Sequence, residues 1–296
     1  MAERFGVVGL GRMAQALLFP LMESGLVDRA AVRAAVASAA SAERLAAEHG
    51  LAVSTDPREA WQAPRVLLAV KPQQLEAVAA QANAAAPAPS SCPRLLISVL
   101  AGVNLERLQR LFPGWICVRA VPNTPCLVRQ GLTGLAWGEG IDPQRQEQVR
   151  QLFALVGAVH ELPEGQLDAF LALTSSGPAF VALVAEAMAD GAVAAGLPRA
   201  LAFELAQRTL AGTAALLEQR QLHPALLKDM VSSPAGTTIA GLRQLERGGL
   251  RSALLEAVLA AAERSRELGA AGMVQPPAAL PHQGGTPEPP PSPSDP

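Results

Sequence analysis

Short apolar runs alternate with helically spaced segments through the first 160 residues. Phe5–Val8, Val32–Ala37, Val66–Val70, Leu95–Val99 and Ile116–Val121 are compact and rich in β-branched side chains, and they read as strands. Met13–Ser24, Ala42–Glu48, Leu75–Asn83 and Leu105–Leu111 lie between them with apolar residues at helical spacing. Gly25 is a natural stop for the first helix, and Pro20 is expected to kink it. Thr133–Ala136 suggests a sixth strand and Pro143–Leu155 a further helix. Strands alternating with helices predict an α/β domain, a mainly parallel sheet wound on both faces.

From about residue 164 the strand signals stop. Ala179–Ala195, Arg199–Gln219, Pro224–Val231, Thr237–Arg247 and Gly249–Leu268 all read as helices. Ala179–Ala195 is apolar almost all round, which demands burial on every side. A small helical domain has too little of its own mass to supply that cover, so a partner subunit is expected. From Gln275 to Pro296 nine of 22 residues are proline, and disorder is expected because so little apolar surface could offset the ordering entropy. The expected organisation is therefore a cofactor domain over 1–163, an all-helical dimerisation and substrate domain over 164–273, and a Pro-rich tail over 274–296.

Composition narrows the function. Of 296 residues, 50% are hydrophobic and 17% charged, with a net charge of −2. No basic excess is available to hold a nucleic-acid backbone, and aromatics at 3% provide no stacking platform. Cys92, Cys117 and Cys126 have no paired spacing, which suggests a reducing compartment. The four histidines are too far apart in the chain to suggest a metal site. The apolar N-terminus has no basic leader, and the stretch 177–197 is interrupted by Pro178, Glu186 and Asp190, so no membrane span is expected. The expected location is the cytoplasm.

The first strand runs into Gly9-Leu10-Gly11-Arg12-Met13-Ala14. This is GxGxxA in the context of strand, tight turn and helix, which marks a Rossmann-type dinucleotide site. The first glycine permits the turn, the second lets a pyrophosphate reach the backbone, and the small Ala14 lets helix and strand pack closely. A binder of NAD carries a carboxylate after the second strand, but here that place holds Ser38 and Ser41, with Arg44 beyond. A ribose 2′-phosphate is better tolerated by these residues than in an NAD site, so NADPH is expected, with NADH as the alternative. Val70-Lys71-Pro72 follows the third strand, where open α/β sheets bind ligands.

Two polar clusters interrupt the helical half. Thr174-Ser175-Ser176-Gly177-Pro178 precedes the apolar helix, and Ser232-Ser233-Pro234-Ala235-Gly236-Thr237-Thr238 precedes Ile239–Arg247. The second places hydroxyls and free amides at a helix start, a site for a small anion such as a carboxylate. A capped turn between helices explains the same residues without a ligand. The chain offers no Ser-His-Asp, Cys-His or paired-carboxylate arrangement, and hydride transfer needs none, because a nicotinamide carries that chemistry.

Taken in order, GLGRMA at 9–14, AVKP at 69–72, VPNTP at 121–125, SSGPAF at 175–180, KDMVSSPAGTTIAGLRQLE at 228–246 and GGLRSALLEAV at 248–258 resemble the pyrroline-5-carboxylate reductase family. The resemblance covers about 1–270. It implies NADPH-dependent reduction of a cyclic imine to L-proline, and an interlocked homodimer that assembles into rings, commonly decamers. Carried over by position, it implies that Ser233, Gly236, Thr237 and Thr238 hold the substrate carboxylate, with Thr238 the catalytic hydroxyl at the ring nitrogen. It places Ser176 near the substrate, and Val70, Lys71, Pro72, Ala101, Gly102 and Asn123 around the nicotinamide.

The chain departs from the family pattern at Ala235, Ser175, Leu100 and Pro57. Ala235 stands where the family has glycine. The loop then needs a negative φ there, or loses about 1 kcal/mol. Two rival readings exist. One is another imine reductase or a related β-hydroxyacid dehydrogenase, the latter needing a helix lysine for which Lys228 is the sole candidate; the other is a non-catalytic NADP-binding dimer, which would have lost Gly236 or Thr238.

Overall fold

The computed structural model describes residues 3–85 and 93–271. The Pro-rich tail and Cys92 lie outside the described residues. In the first half the order is β1 (Phe5–Val8), α1 (Arg12–Glu23), β2 (Val32–Ala35), α2 (Ala39–His49), β3 (Ala52–Ser54), α3 (Arg58–Trp61), β4 (Arg65–Leu68), α4 (Leu75–Ala84), β5 (Arg94–Ser98), α5 (Leu105–Leu111), β6 (Trp115–Val121), β7 (Gly131–Trp137), α6 (Pro143–Ala154) and β8 (Gly157–Glu161). The helical half contains α7 (Leu167–Thr174), α8 (Gly177–Ala194), α9 (Arg199–Arg220), α10 (Pro224–Met230), α11 (Thr237–Arg247) and α12 (Leu250–Ala271).

The strands form one sheet in the order β3-β2-β1-β4-β5-β6-β7-β8. Every neighbouring pair is parallel except β6 with β7. The link from β6 to β7 is too short for a crossover helix, so β7 must return antiparallel. Successive strand residues feed opposite cores. Phe5 and Val7 join Leu17, Leu18 and Leu152 on one face. Val8 joins Trp61, Leu75 and Leu108 on the other. Helix α1 passes through Pro20 without a break and ends before Gly25, whose φ is +78°.

The helical half is built differently. Among the described residues its own buried apolar cluster is Ala189, Ala202 and Ala206. Helix α8, expected to be covered all round, exposes Val181 at 53% and Leu183 at 65%. Leu254, Leu255 and Leu259 of α12 are exposed as well. The run Glu164–Ala194 is, by length and composition alone, long and apolar enough to cross a membrane. The chain breaks it at Thr174–Ser176 into two helices, and α9 and α12 share its exposed apolar character.

Candidate active site

The sheet reverses its winding between β1 and β4, the crevice where open α/β sheets take ligands. Gly9 sits at that crevice with φ +92°, and a Cβ there would lie 2.6 Å from the Ala69 carbonyl oxygen. Only glycine allows this turn to pass so close to the β4 exit. Gly11 does a different job. A Cβ there would meet nothing within 4 Å, so its missing side chain leaves open space in front of α1. It caps α1 with φ −78° and ψ −176°, and no side chain accepts from the first-turn amides. Those amides and that space fit the pyrophosphate of a dinucleotide.

Strand β2 ends at Ala35, so Ser38 is the N-cap of α2 rather than a strand residue. Its Oγ accepts from Ser41 N and donates to Ser41 Oγ at 2.9 Å. Arg44, one turn on, is exposed and pairs with Glu48 at 3.0 Å. Strand β4 ends at Leu68, which puts Val70, Lys71 and Pro72 in the loop outside the sheet rim, with Lys71 exposed. Ala101 and Gly102 follow β5 on the same rim.

Asn123 is 3% exposed, and its side chain is already engaged. Nδ2 donates to Thr174 O at 2.9 Å, and Oδ1 accepts from Leu132 N at 2.8 Å. The side chain ties β6 to the end of α7 and the start of β7. The Ser175 hydroxyl reaches the Pro122 carbonyl at 3.5 Å, so the half-buried Ser176 stands near the exit of β6.

The second cluster forms a tight turn in which Gly236 N donates to Ser233 O at 3.0 Å. Ala235 has φ +56°, so the left-handed backbone that glycine favours is here carried by alanine. Gly236 then caps α11 with φ −79° and ψ 177°, nearly the angles of Gly11, and again no side chain caps the helix. A Cβ on Gly236 would lie 2.3 Å from Ser233 Oγ. Thr237 and Thr238 are the first two residues of α11. Beside the turn lies a cavity of about 640 Å³ lined by Lys228, Ser232, Gly236, Arg243 and Glu246. Lys228 lies in the last turn of α10, the short helix before this loop.

A single chain does not bring the two clusters together. Helix α11 packs extensively only on α12 among the described residues, while the cofactor motif lies on the sheet rim. Burial pushes the Cys117 thiol up to about 12 and the Cys126 thiol upward, so neither provides a thiolate nucleophile at neutral pH. The residues sequence reasoning missed are Arg119, Glu164, Asp168 and Ser265, which meet under the β6 rim. The available signal was an arginine in the otherwise apolar run Ile116–Val121.

Comparison with known proteins agrees with both halves. The family model for pyrroline-5-carboxylate reductase dimerisation matches residues 164–268, and that for coenzyme F420-dependent NADP oxidoreductases matches residues 4–102. The pyrroline-5-carboxylate reductase of Synechocystis sp. is 44% identical over 91% of this chain and 99% of its own. A solved pyrroline-5-carboxylate reductase from Coxiella burnetii superposes with a TM-score of 0.80 at 30% identity, covering 90% of this chain and 99% of that one. The Plasmodium falciparum pyrroline carboxylate reductase, solved with NADP bound, also gives 0.80, at 27% identity over 90% of this chain and 98% of that one. With the sheet crevice, the glycine-capped helices and this likeness along nearly the whole chain, the protein belongs to the pyrroline-5-carboxylate reductase family.

Proposed function

We propose that this chain reduces 1-pyrroline-5-carboxylate to L-proline with NADPH, or less well NADH. When bound, the dinucleotide supplies hydride to the C=N carbon. The chain's own residues do the rest. Gly9 to Ala14 seat the pyrophosphate on α1, while Ser38, with Ser41 and Arg44, faces the ribose 2′-phosphate. Val70, Lys71 and Pro72, with Ala101 and Gly102, wall the nicotinamide end and exclude water.

The observation that carries the reading is the open N-terminus of α11, capped by Gly236 in nearly the backbone geometry of Gly11. Its first amides are directed at a small anion, and the substrate carboxylate fills that role. Ser233, Gly236, Thr237 and Thr238 form this cradle. The Thr238 hydroxyl meets the ring nitrogen and holds a proton there as the C=N bond is reduced. Ser176 borders the substrate from the β6 side.

The exposed apolar faces of α8 and α12 and the match to a dimerisation family support a quaternary reading. A second copy covers α8 and α12, giving an interlocked homodimer, and dimers build into rings such as decamers. The small-molecule reaction is placed in the cytoplasm, with no nucleic acid and no membrane as partner. The test is NADPH oxidation by purified protein with 1-pyrroline-5-carboxylate, repeated with NADH. Substrate-dependent oxidation with proline as product is expected. Retained NADPH binding with no turnover would overturn the substrate assignment.

A further inference from the structure

Arg119 projects from the middle of β6 and its side chain is only 4% exposed. Its guanidinium reaches Glu164 Oε1 and Asp168 Oδ1, each at 3.3 Å. Asp168 Oδ1 also accepts from Ser265 Oγ at 2.7 Å, and Ser265, on α12, is 4% exposed. Glu164 Oε1 accepts from Leu105 N, the first residue of α5, at 2.6 Å. The cluster thus joins a central strand, the start of α5, α7 and the last helix. Close by, a Cβ on Gly102 would stand 3.2 Å from Leu268 Cβ, so α12 also seats directly on the β5 rim.

Burying these charges is costly, and packed apolar side chains would hold the elements together more cheaply. What the arginine fork adds is direction, since its planar donors accept partners only at set angles. Helix α12 packs on α7 and on α11, and α11 begins with the Thr237-Thr238 pair.

We propose that Arg119, acting through Asp168 and Ser265, is a positioning residue that sets the seat of α12 and thereby the placement of the Ser233–Thr238 loop. The cluster touches neither substrate nor cofactor. It fixes how α12, and α11 packed on it, sit on the sheet, and so the pose in which the loop is presented to a cofactor site. This rests on the loop being the carboxylate site.

The test uses Asp168→Asn and Ser265→Ala in the intact oligomer, with Ser265→Thr as the conservative variant. Misplacement of a reacting pair by about 1 Å costs up to roughly 100-fold. Asp168→Asn is therefore expected to lower kcat/KM for the imine at least tenfold (~10-fold or more). Ser265→Ala is expected to lower it less, and Ser265→Thr to restore it. NADPH affinity should stay within about twofold in all three, because the Gly9–Ala14 turn is untouched. Amide exchange over residues 237–241 should rise in the first two variants.

Unchanged kcat/KM in both would overturn the proposal, as would loss of NADPH affinity or of the oligomer in step with turnover. Inactivity of the unmutated protein toward the imine would overturn the reaction reading instead. The exchange readout would still decide the anchor, and unchanged exchange would sink it.

Discussion

A methyl group added at Gly9 and one added at Gly11 should separate folding from binding. At Gly9 the new Cβ meets a carbonyl at 2.6 Å on a backbone with φ +92°. Gly9→Ala should therefore destabilise the apoprotein by about 2 kcal/mol or more, read from urea unfolding. At Gly11 it meets open space on a backbone that any residue adopts. Gly11→Ala should leave the midpoint nearly unchanged and weaken NADPH binding by about tenfold or more, because it fills the approach of the pyrophosphate. Equal melting losses in both would contradict this division. Ala235 offers the reverse experiment. Its φ of +56° is the second of the two outcomes weighed for the loop, so Ala235→Gly should stabilise the protein by roughly 0.5–1 kcal/mol after allowing for the extra freedom of unfolded glycine. No gain in the unfolding midpoint would show that the turn is not strained.

At the level of elements, the start of α11 is the part whose chemistry can be isolated. Thr238→Ala removes one hydroxyl from its first turn and leaves the amides in place. With the hydroxyl in its proposed place at the imine, turnover should fall by about 100-fold or more while NADPH affinity holds within about twofold. Parallel losses in steady-state rate and nucleotide titration would remove Thr238 from that role. The strands feeding the sheet interior were legible because their apolar runs are uninterrupted, as in Phe5–Val8 and Leu95–Ile97. The edge strands were not. Ala52–Ser54 is three residues with an exposed-intermediate-exposed pattern, and Gly157–Glu161 ends in His160 and Glu161. Helix α7 escaped notice because its N-cap, Gln166, makes no side-chain cap. The cofactor turn was legible because its spacing is local. The cross-links of Asn123 were not, because both partners of its amide come from other segments.

Over the whole molecule the two halves are unequal. The sheet domain has a core on each face, while among the described residues the helical domain's separate apolar cluster is Ala189, Ala202 and Ala206. Leu255→Asp with Leu259→Asp, both on the exposed face of α12, should convert the oligomer to monomers in sedimentation velocity, with NADPH binding retained and imine turnover lost. An assembly still intact after both changes would mean that this face is not the subunit contact. The shortage of helical core has a consequence for the birth of the protein. The sheet domain emerges first from the ribosome with most of both its cores in hand, lacking chiefly what α7 and α12 bring to the β6 side. The helical half emerges last and, on the proposed dimer, completes the cover of α8 and α12 against another chain. Protein concentration is then a folding variable for one half and not for the other. A cell making few copies would accumulate half-finished subunits that sequester nucleotide without consuming imine, so expression level would set the fraction of chains that work as well as their number.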